Sequence, residues 1–434
     1  MRIIADLHIH SKYSRATSKQ MEPTTLALWA RKKGINLIAT GDFTHPRYLS
    51  ELKSALIEDG SGFLEVKKST SPVTSSPVTQ SPGRPASETK FVLSGEISCI
   101  YKDKEKTRRI HILILIPDFE TADKIIATLE KYKCNLKSDG RPIIGLSAKK
   151  LAEICFAANE KTLVIPAHVW TPWFAVFGSK SGYDSLEECF EELTPKIFAI
   201  ETGLSSDPAM NWRLSSLDNI SLISNSDAHS PANLGREANV FDFKHFSYEE
   251  LYETLKNKDK KKFLYTIEFF PEEGKYHYDG HATCKFVCSP SESVKMKNIC
   301  PVCKKELVLG VDHRVVALAD RVVGFIPENK ISYKSLVPLQ EIIAECLQRK
   351  RGGKGGNAYY ETMIERGENE FNILLNLSRE EIKTISDERI AEAIMRIRDR
   401  KVIPQPGYDG IYGIIRVFTE EEKKTMQPMQ SKLF

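Results

Sequence analysis

A chain of 434 residues with 41% hydrophobic content is long enough for two or three domains and a sizeable core. Its formal net charge of +4 excludes a global field for nucleic acid, so any basic surface must be local. No stretch reaches the ~18 uninterrupted apolar residues of a membrane span. Asp6, His8 and His10 interrupt the first apolar run, so no signal peptide is expected and the protein reads as intracellular. Apolar runs predict strands at 2–8, 35–40, 91–99, 110–116, 163–168, 197–201 and 220–224. Helical spacing falls between them, near 23–33, 47–58, 119–131, 147–158, 184–193 and 207–217. This alternation predicts a parallel sheet with crossover helices, and seven units suffice to close a barrel. Residues 66–90 interrupt it with a Ser/Pro-rich stretch holding Ser-Pro-Val-Thr twice, which predicts a disordered surface insert. After 270 a short polar segment carries four of the nine cysteines. Beyond it, 334–349, 358–366, 378–384 and 386–400 read helical, and 411–418 reads as a short strand.

Histidines and acids recur at the ends of the predicted strands. His8 and His10 are one residue apart, so in a strand both point to one face. Asp42 and His45 follow the second strand, Glu96 lies in the third, and His111 stands near the start of the fourth. His168 ends the fifth, and Asp227 and His229 follow the seventh with the spacing of the first pair. One such residue is more often packed or solvated than a ligand. An ordered set of six histidines and three acids points to one shared site. Imidazole with carboxylate suits zinc, manganese or iron. Two ions bridged by a carboxylate can clamp the attacking and leaving oxygens of a phosphate ester.

In this order the set resembles the polymerase and histidinol phosphatase (PHP) superfamily over roughly residues 1–265. That resemblance implies a distorted seven-stranded β/α barrel with a two- or three-metal phosphoesterase centre. It implies one ion held by His8, His10, Glu96 and Asp227, the residues on which catalysis depends. Glu96 would bridge to a second ion on His111 and His168, with His45 and His229 facing a third position. The second motif departs from the usual Thr-Asp-His, reading Thr40-Gly41-Asp42-Phe43-Thr44-His45, and Ser11–Arg15 lacks a further histidine. Both departures speak against a third ion.

Cys284-x3-Cys288 and Cys300-Pro301-Val302-Cys303 have structural-zinc spacing, with His281 and His313 as substitutes nearby. The expected organisation is a barrel at 1–270, a zinc module at 271–325 and a mainly helical region at 326–434. A zinc module beside a phosphoesterase suggests either a nucleic-acid grip or a brace. Trp170 and Trp173, close after His168, are placed to stack on bases or to pack a rim loop. Arg349, Arg351 and Lys354 stand among glycines, as phosphate contacts or as a solvated loop. Tyr408 sits in Pro406-Gly407-Tyr408-Asp409-Gly410, as a DNA contact or within a plain turn.

The stretch Leu7–Lys19, the cysteine module and Pro406–Gly413 together resemble the endonuclease Q family, end to end apart from the insert. This implies a DNA-repair nuclease that cuts 5′ to hypoxanthine, uracil, xanthine and abasic sites, leaving a 3′-hydroxyl and a 5′-phosphate. It implies Mg²⁺ or Mn²⁺, or zinc, at the catalytic centre, and action at the nucleoid within the cytoplasm. Tyr13, Arg15 and Lys19 then become contacts to the phosphate being cut. The tail from Gln427 to Phe434 resembles a sliding-clamp peptide, with Gln430 and Leu433 as departures. The competing readings are a phosphatase of a small phosphomonoester and a non-catalytic DNA-binding protein on a decayed barrel.

Overall fold

The computed structural model describes residues 1–67 and 89–425. Residues 68–88 of the Ser/Pro-rich insert and the tail 426–434 therefore lie outside the described residues, whereas Val66 and Lys90 at the insert's expected edges belong to strands. The chain opens with β1 (Arg2–Asp6), α1 (Pro23–Lys33), β2 (Leu37–Ala39) and α2 (Pro46–Ala55). A hairpin of β3 (Leu56–Glu58) and β4 (Leu64–Val66) leads to the long strands β5 (Lys90–Asp103) and β6 (Lys106–Ile116). Then come α3 (Phe119–Lys131), β7 (Ile143–Ile144), α4 (Ala148–Ala158), β8 (Leu163–Pro166) and α5 (Leu186–Phe190). After them follow β9 (Ala199–Glu201), α6 (Pro208–Asn211), β10 (Ser221–Ile223), β11 (Ala238–Asp242), α7 (Tyr248–Lys256) and β12 (Phe263–Glu268).

Local chemistry places these elements. Asp118 and Ser147 cap α3 and α4 by accepting the amides of Thr121 and Lys150. On α3, Ala122, Ile125 and Leu129 recur at helical spacing and are buried. Along the strands, alternate residues sort to two sides. Ala5, Leu37, Val92, Leu113, Ile165, Ala199 and Ile223, from seven strands, share one buried cluster. Their neighbours Ile38, Leu93, Ile114, Val164, Ile200 and Leu222 pack in a second cluster, with α1 to α4, whereas α7 packs with the first.

The sheet is mixed, which corrects the all-parallel expectation. β1 pairs parallel with β2, and β2 with β5, but β6 runs antiparallel to both β5 and β8. The cause is local. Residues 100–109 read as a polar connection, yet they extend both strands to a turn at Lys104 and Glu105, with Lys104 at φ 53°. So short a turn joins only antiparallel strands. β11 also runs antiparallel to β1 and β12. The helices expected at 184–193 and 207–217 are shorter, α5 and α6, each followed by a single 3₁₀ turn or two.

The remaining chain builds β13 (Asp279–His281), β14 (Phe286–Cys288), α8 (Pro290–Lys295) and α9 (Val311–Leu318) around the cysteines. Residues 334 and 335, at the start of the helix expected at 334–349, instead belong to β15 (Ser332–Ser335), which joins the main sheet beside β12. Five helices follow: α10 (Leu339–Cys346), α11 (Lys354–Gly367), α12 (Glu370–Leu375), α13 (Arg379–Ile385) and α14 (Glu388–Arg398). β16 (Ile403–Gln405), β17 (Ile414–Arg416) and α15 (Glu420–Thr425) end the described chain. A buried ion pair locks the helices to the first half: Lys33 Nζ lies 2.7 Å from Glu370 Oε2. The same carboxylate accepts from the Tyr360 hydroxyl at 2.8 Å and the Leu339 amide at 3.0 Å, so its lone pairs are satisfied. Among the described residues no helix is long and apolar enough to cross a membrane.

Candidate metal centre

His8 and His10 leave the C-terminal end of β1, and Asp227 follows β10. The His10 Nε2 lies 3.0 Å from Asp227 Oδ1 and 3.2 Å from Glu96 Oε2. The His8 Nε2 stands 3.9 Å and 3.8 Å from the same two oxygens. Both ring nitrogens and Asp227 Oδ1 are buried without a well-aligned hydrogen-bond partner among the described residues. Such orphaned groups are costly unless something electropositive sits among them. The other Glu96 oxygen, Oε1, is 2.7 Å from His111 Nδ1 and 3.0 Å from His168 Nε2, and those two nitrogens are 3.2 Å apart. Two donor groups therefore converge, His8–His10–Asp227 and Glu96–His111–His168, with Glu96 facing both. A cation in each satisfies every one of these atoms, so the residues fit a two-ion centre. The antiparallel course of β6 explains why His111, midway along its strand and paired with Ser98, comes level with Glu96 two residues away on β5.

Surrounding side chains fix the donors. Glu201, at the end of β9, takes the His8 Nδ1 at 2.9 Å and the His168 amide at 2.8 Å. Asp42 Oδ2 accepts from the Ser11 amide and hydroxyl at 2.6 Å each and from the Ser14 hydroxyl at 2.9 Å, while Oδ1 lies 3.2 Å from His10 Nδ1. Asp42 thus orients a ligand through its far nitrogen, the usual arrangement behind metal-bound histidine. A Cβ on Gly140 would come within 2.3 Å of Asp42 Oδ2, so only glycine lets that loop close over it. Arg141 Nη1 reaches Glu96 Oε2 at 3.0 Å. Asp42, His168 and Asp227 all hold positive φ, at 47°, 32° and 46°. Backbone strain of this kind in non-glycine residues clusters where side chains must be aimed.

Charge follows from this packing. Burial opposes ionisation of Glu96, yet His111, Arg141 and His10 outweigh it and hold the carboxyl well below its usual range. Burial likewise opposes charge on Asp227, and His10 and His8 overcome it to lower that group too. Burial would lower His8, but Glu201 and Glu96 raise it well above normal. For His111 burial wins, and it falls to about 4. The centre is an ionised acid cluster ringed by imidazoles.

Three expected ligands stand outside the two groups. Asp42 is a support, as described. His45 is buried, its Nδ1 accepts the Tyr48 amide to cap α2, and its ring stacks on Tyr13 at 4.3 Å. His229 lies beside His10, with ring centroids 4.4 Å apart, and its Nδ1 meets the Asp227 carbonyl oxygen at 2.9 Å. Glu201 and Arg141 were not expected. Glu201 closes a predicted strand, as the ligands do, and that was its only signal; Arg141 had none.

The expected DNA contacts divide. Trp170 is corrected to a core residue: it is 1% exposed, and its indole donates to Asn211 Oδ1 at 2.8 Å. Trp173 is half-buried, edge-on to Tyr276 at 6.0 Å. Arg15 has 88% of its side chain exposed, with its Nε 4.0 Å from Asp139 Oδ2, and Lys19 is exposed. The Tyr13 hydroxyl donates to Glu51 at 2.6 Å. Arg349 and Lys354 are exposed, but Lys354 begins α11, and Arg351 pairs with Glu341 at 2.7 Å. Tyr408 is half-buried and abuts Gly280 of the cysteine module.

In that module the converging donors are His281, Cys284, Cys300 and Cys303. His281 Nδ1 is 3.3 Å from Cys303 Sγ. Cys288 stands outside the group, buried with Leu307, so the four-cysteine set is corrected to three cysteines and a histidine. Burial resists ionisation of Cys300, but the amides of Cys303 and Val302 bring its thiol down to about 7.

Residues 338–401 match the family described as MJ0043 C-terminal domain, and residues 212–259 match the family described as PHP-associated. The uncharacterized protein MJ0043 of Methanocaldococcus jannaschii is 30% identical over 57% of this chain. The match spans only 31% of that relative, about a third of its length. The lesion-specific endonuclease PfuEndoQ from Pyrococcus furiosus superposes with a TM-score of 0.81 at 30% identity, covering 98% of this chain and 100% of that one. Endonuclease Q in complex with a 27-mer duplex substrate bearing an abasic lesion at the active site gives 0.83 at 31%, covering 99% and 100%. With that identity over the whole length of both solved chains, the protein belongs to the endonuclease Q family.

Proposed function

We propose that this protein is a metal-dependent DNA endonuclease that hydrolyses the phosphodiester 5′ to deaminated bases and abasic sites, leaving a 3′-hydroxyl and a 5′-phosphate. The observation that carries the reading is the pair of donor groups sharing Glu96, with orphaned His8 and His10 nitrogens aimed between them. Mg²⁺, Mn²⁺ or zinc bound there would stabilise the charge that builds on the phosphate oxygens. The chain's own part is to hold and orient. Asp227 and Glu96 supply anionic donors, Glu201 and Asp42 lock the imidazoles, and Arg141 stands at the edge of the group with 29% of its side chain exposed. Arg15 and Lys19, following directly on the first ligands, are assigned to the DNA backbone. Zinc is assigned to His281, Cys284, Cys300 and Cys303, as a brace without an open position.

We read the scaffold as a distorted seven-stranded barrel. The cluster shared by seven strands supports this, with the Ile9–Ala228 bridge and the Val169 amide to the Glu201 carbonyl closing gaps. The division at 1–270, 271–325 and 326–434 goes with it, as does work at the nucleoid. The clamp-like peptide lies outside the described residues. Incubation with Mn²⁺ and labelled duplexes carrying one uracil, one hypoxanthine or neither tests the reading. A single cut 5′ to each lesion, with the plain duplex intact, is the expected result. Phosphate release from small monoesters without any DNA cutting would contradict it.

A further inference from the structure

Arg141 brings a cation into the metal centre, and the fold places it there by two ties. It shortly precedes β7, which pairs with β5 at Ser98, two residues beyond Glu96. The Ser98 amide donates to the Pro142 carbonyl at 3.0 Å, which draws the loop before β7 against the strand that carries Glu96. One acid then staples this loop to the segment after the first ligands. Asp139 Oδ1 accepts the amides of Arg141 at 3.1 Å and Arg15 at 3.3 Å, and the Gly140 amide donates to the Tyr13 carbonyl at 3.0 Å. Two arginines are thereby fixed side by side at the backbone. Arg141 turns in to Glu96, and Arg15 turns out with 88% of its side chain exposed.

The inner guanidinium is only partly used. Its Nη1 meets Glu96 Oε2 at 3.0 Å, and no other side-chain N–H of Arg141 finds an acceptor among the described residues. A guanidinium carries five N–H donors in a planar fork that matches phosphate oxygens. With 29% of the side chain exposed, the rest of the fork is open to a ligand. Its charge also reaches both donor groups: it acts on Glu96 and His111 in one, on Asp227 in the other, and on His229 beside that one. A phosphodiester seated between the two groups therefore meets this guanidinium. The same position makes Arg141 a competitor of any divalent ion for the charge of Glu96.

We propose that Arg141 is a catalytic residue whose fork binds the non-bridging oxygens of the phosphate being cut, while Arg15 holds a neighbouring phosphate. The inference rests on the endonuclease reading above and adds a residue to it. In the hydrolysis, the oxygen of water forms a new bond to phosphorus and the bond from phosphorus to O3′ breaks. One water proton ends on the 3′ oxygen and the other on the new phosphate or in solvent. Negative charge gathers on the non-bridging oxygens as this happens, and a preorganised cation facing them stabilises that charge. Arg15 lies outside the centre and binds substrate and transition state alike. The test measures kcat and KM on a uracil-bearing duplex with Mn²⁺, and Mn²⁺ affinity by chelator competition, for wild type, Arg141→Met, Arg141→Lys and Arg15→Met. Arg141→Met is expected to lose about 100- to 1,000-fold in kcat, the worth of one preorganised donor. Its Mn²⁺ affinity rises by about 10-fold, since a cation beside a carboxylate opposes a second one there. Arg141→Lys keeps the charge without the fork and regains part of the lost kcat. Arg15→Met raises KM with kcat unchanged. A joint fall of kcat and Mn²⁺ affinity in Arg141→Met would make the guanidinium a brace for Glu96 and overturn the assignment. A kcat within about 3-fold of wild type would overturn it as well. A wild type that cuts no lesion-bearing duplex refutes the endonuclease reading, and the assignment with it.

Discussion

Glu201 receives three contacts at the end of β9: the His8 ring at 2.9 Å, the His168 amide at 2.8 Å and the Asn225 amide at 2.9 Å. The first fixes the tautomer of His8, so its Nε2 lone pair faces the metal group. Loss of such an outer partner usually costs 10- to 100-fold in metal affinity. Glu201→Gln is expected to lower Mn²⁺ affinity by about that factor with an unchanged circular dichroism spectrum. An unaltered affinity in a chelator competition would show that the contact only packs. The converging donors His8, His10, Glu96, His111, His168 and Asp227 were legible in the sequence because histidines and acids recurring at strand ends form a pattern. Glu201 was not, because a single acid ending a strand has many innocent explanations. Asp42 and His45, expected as ligands, stand outside the two converging donor groups, since sequence names a residue type and says nothing of where its ring or carboxylate turns.

At the scale of elements, the β5–β6 hairpin decides whether the centre assembles. Its antiparallel course sets Glu96 opposite Leu113 and Ser98 opposite His111, which brings Glu96 and His111 within two positions of each other across the ladder. The apolar runs on either side were legible, but the polar residues joining them hid the turn. The cysteine module shows the same limit. Spacing identified a metal-type cysteine cluster, but Cys288 on β14 packs in the same small core without joining the converging donors. His281, at the end of β13, takes the vacated position. Cys288→Ser is therefore expected to keep about one zinc per chain, counted by atomic emission, while His281→Ala and Cys300→Ser lose it. Zinc lost from Cys288→Ser and kept in His281→Ala would reverse the assignment.

Across the whole molecule, the helices after 338 were legible from their spacing, but their docking was not. The Lys33–Glu370 pair and the β12–β15 pairing join residues about 70 to 340 positions apart, beyond the reach of local pattern reasoning. Behind the metal centre lies a second long-range feature, the buried acids Glu237 and Glu268. Burial raises Glu268 to about 8, against the hydroxyls of Thr266, Ser224 and Thr202, with Asp207 adding to the rise. Burial, then the Glu268 carboxylate, raises Glu237 well above its usual range too. An unfolded glutamate releases its proton near ~4.3, so between there and about 8 the folded state binds the extra proton. The stabilisation is complete below the unfolded value and is lost as pH rises through the folded one. Unfolding free energy is expected to fall from pH 6 to 8, by up to about 1.4 kcal/mol per pH unit for this group, with the melting temperature falling alongside, and Glu268→Gln should flatten the slope. A slope identical in wild type and variant would remove Glu268 from the explanation.

The central claim is that one carboxylate, Glu96, joins two metal positions into a centre that cuts damaged DNA. Glu96→Gln removes the anionic bridge and leaves the DNA-facing surface untouched. With Mn²⁺ and a uracil-bearing duplex, wild type is predicted to give a single cut 5′ to the lesion, whereas the variant binds the same duplex with similar affinity and leaves it whole. Cutting by the variant at the wild-type rate would contradict the account.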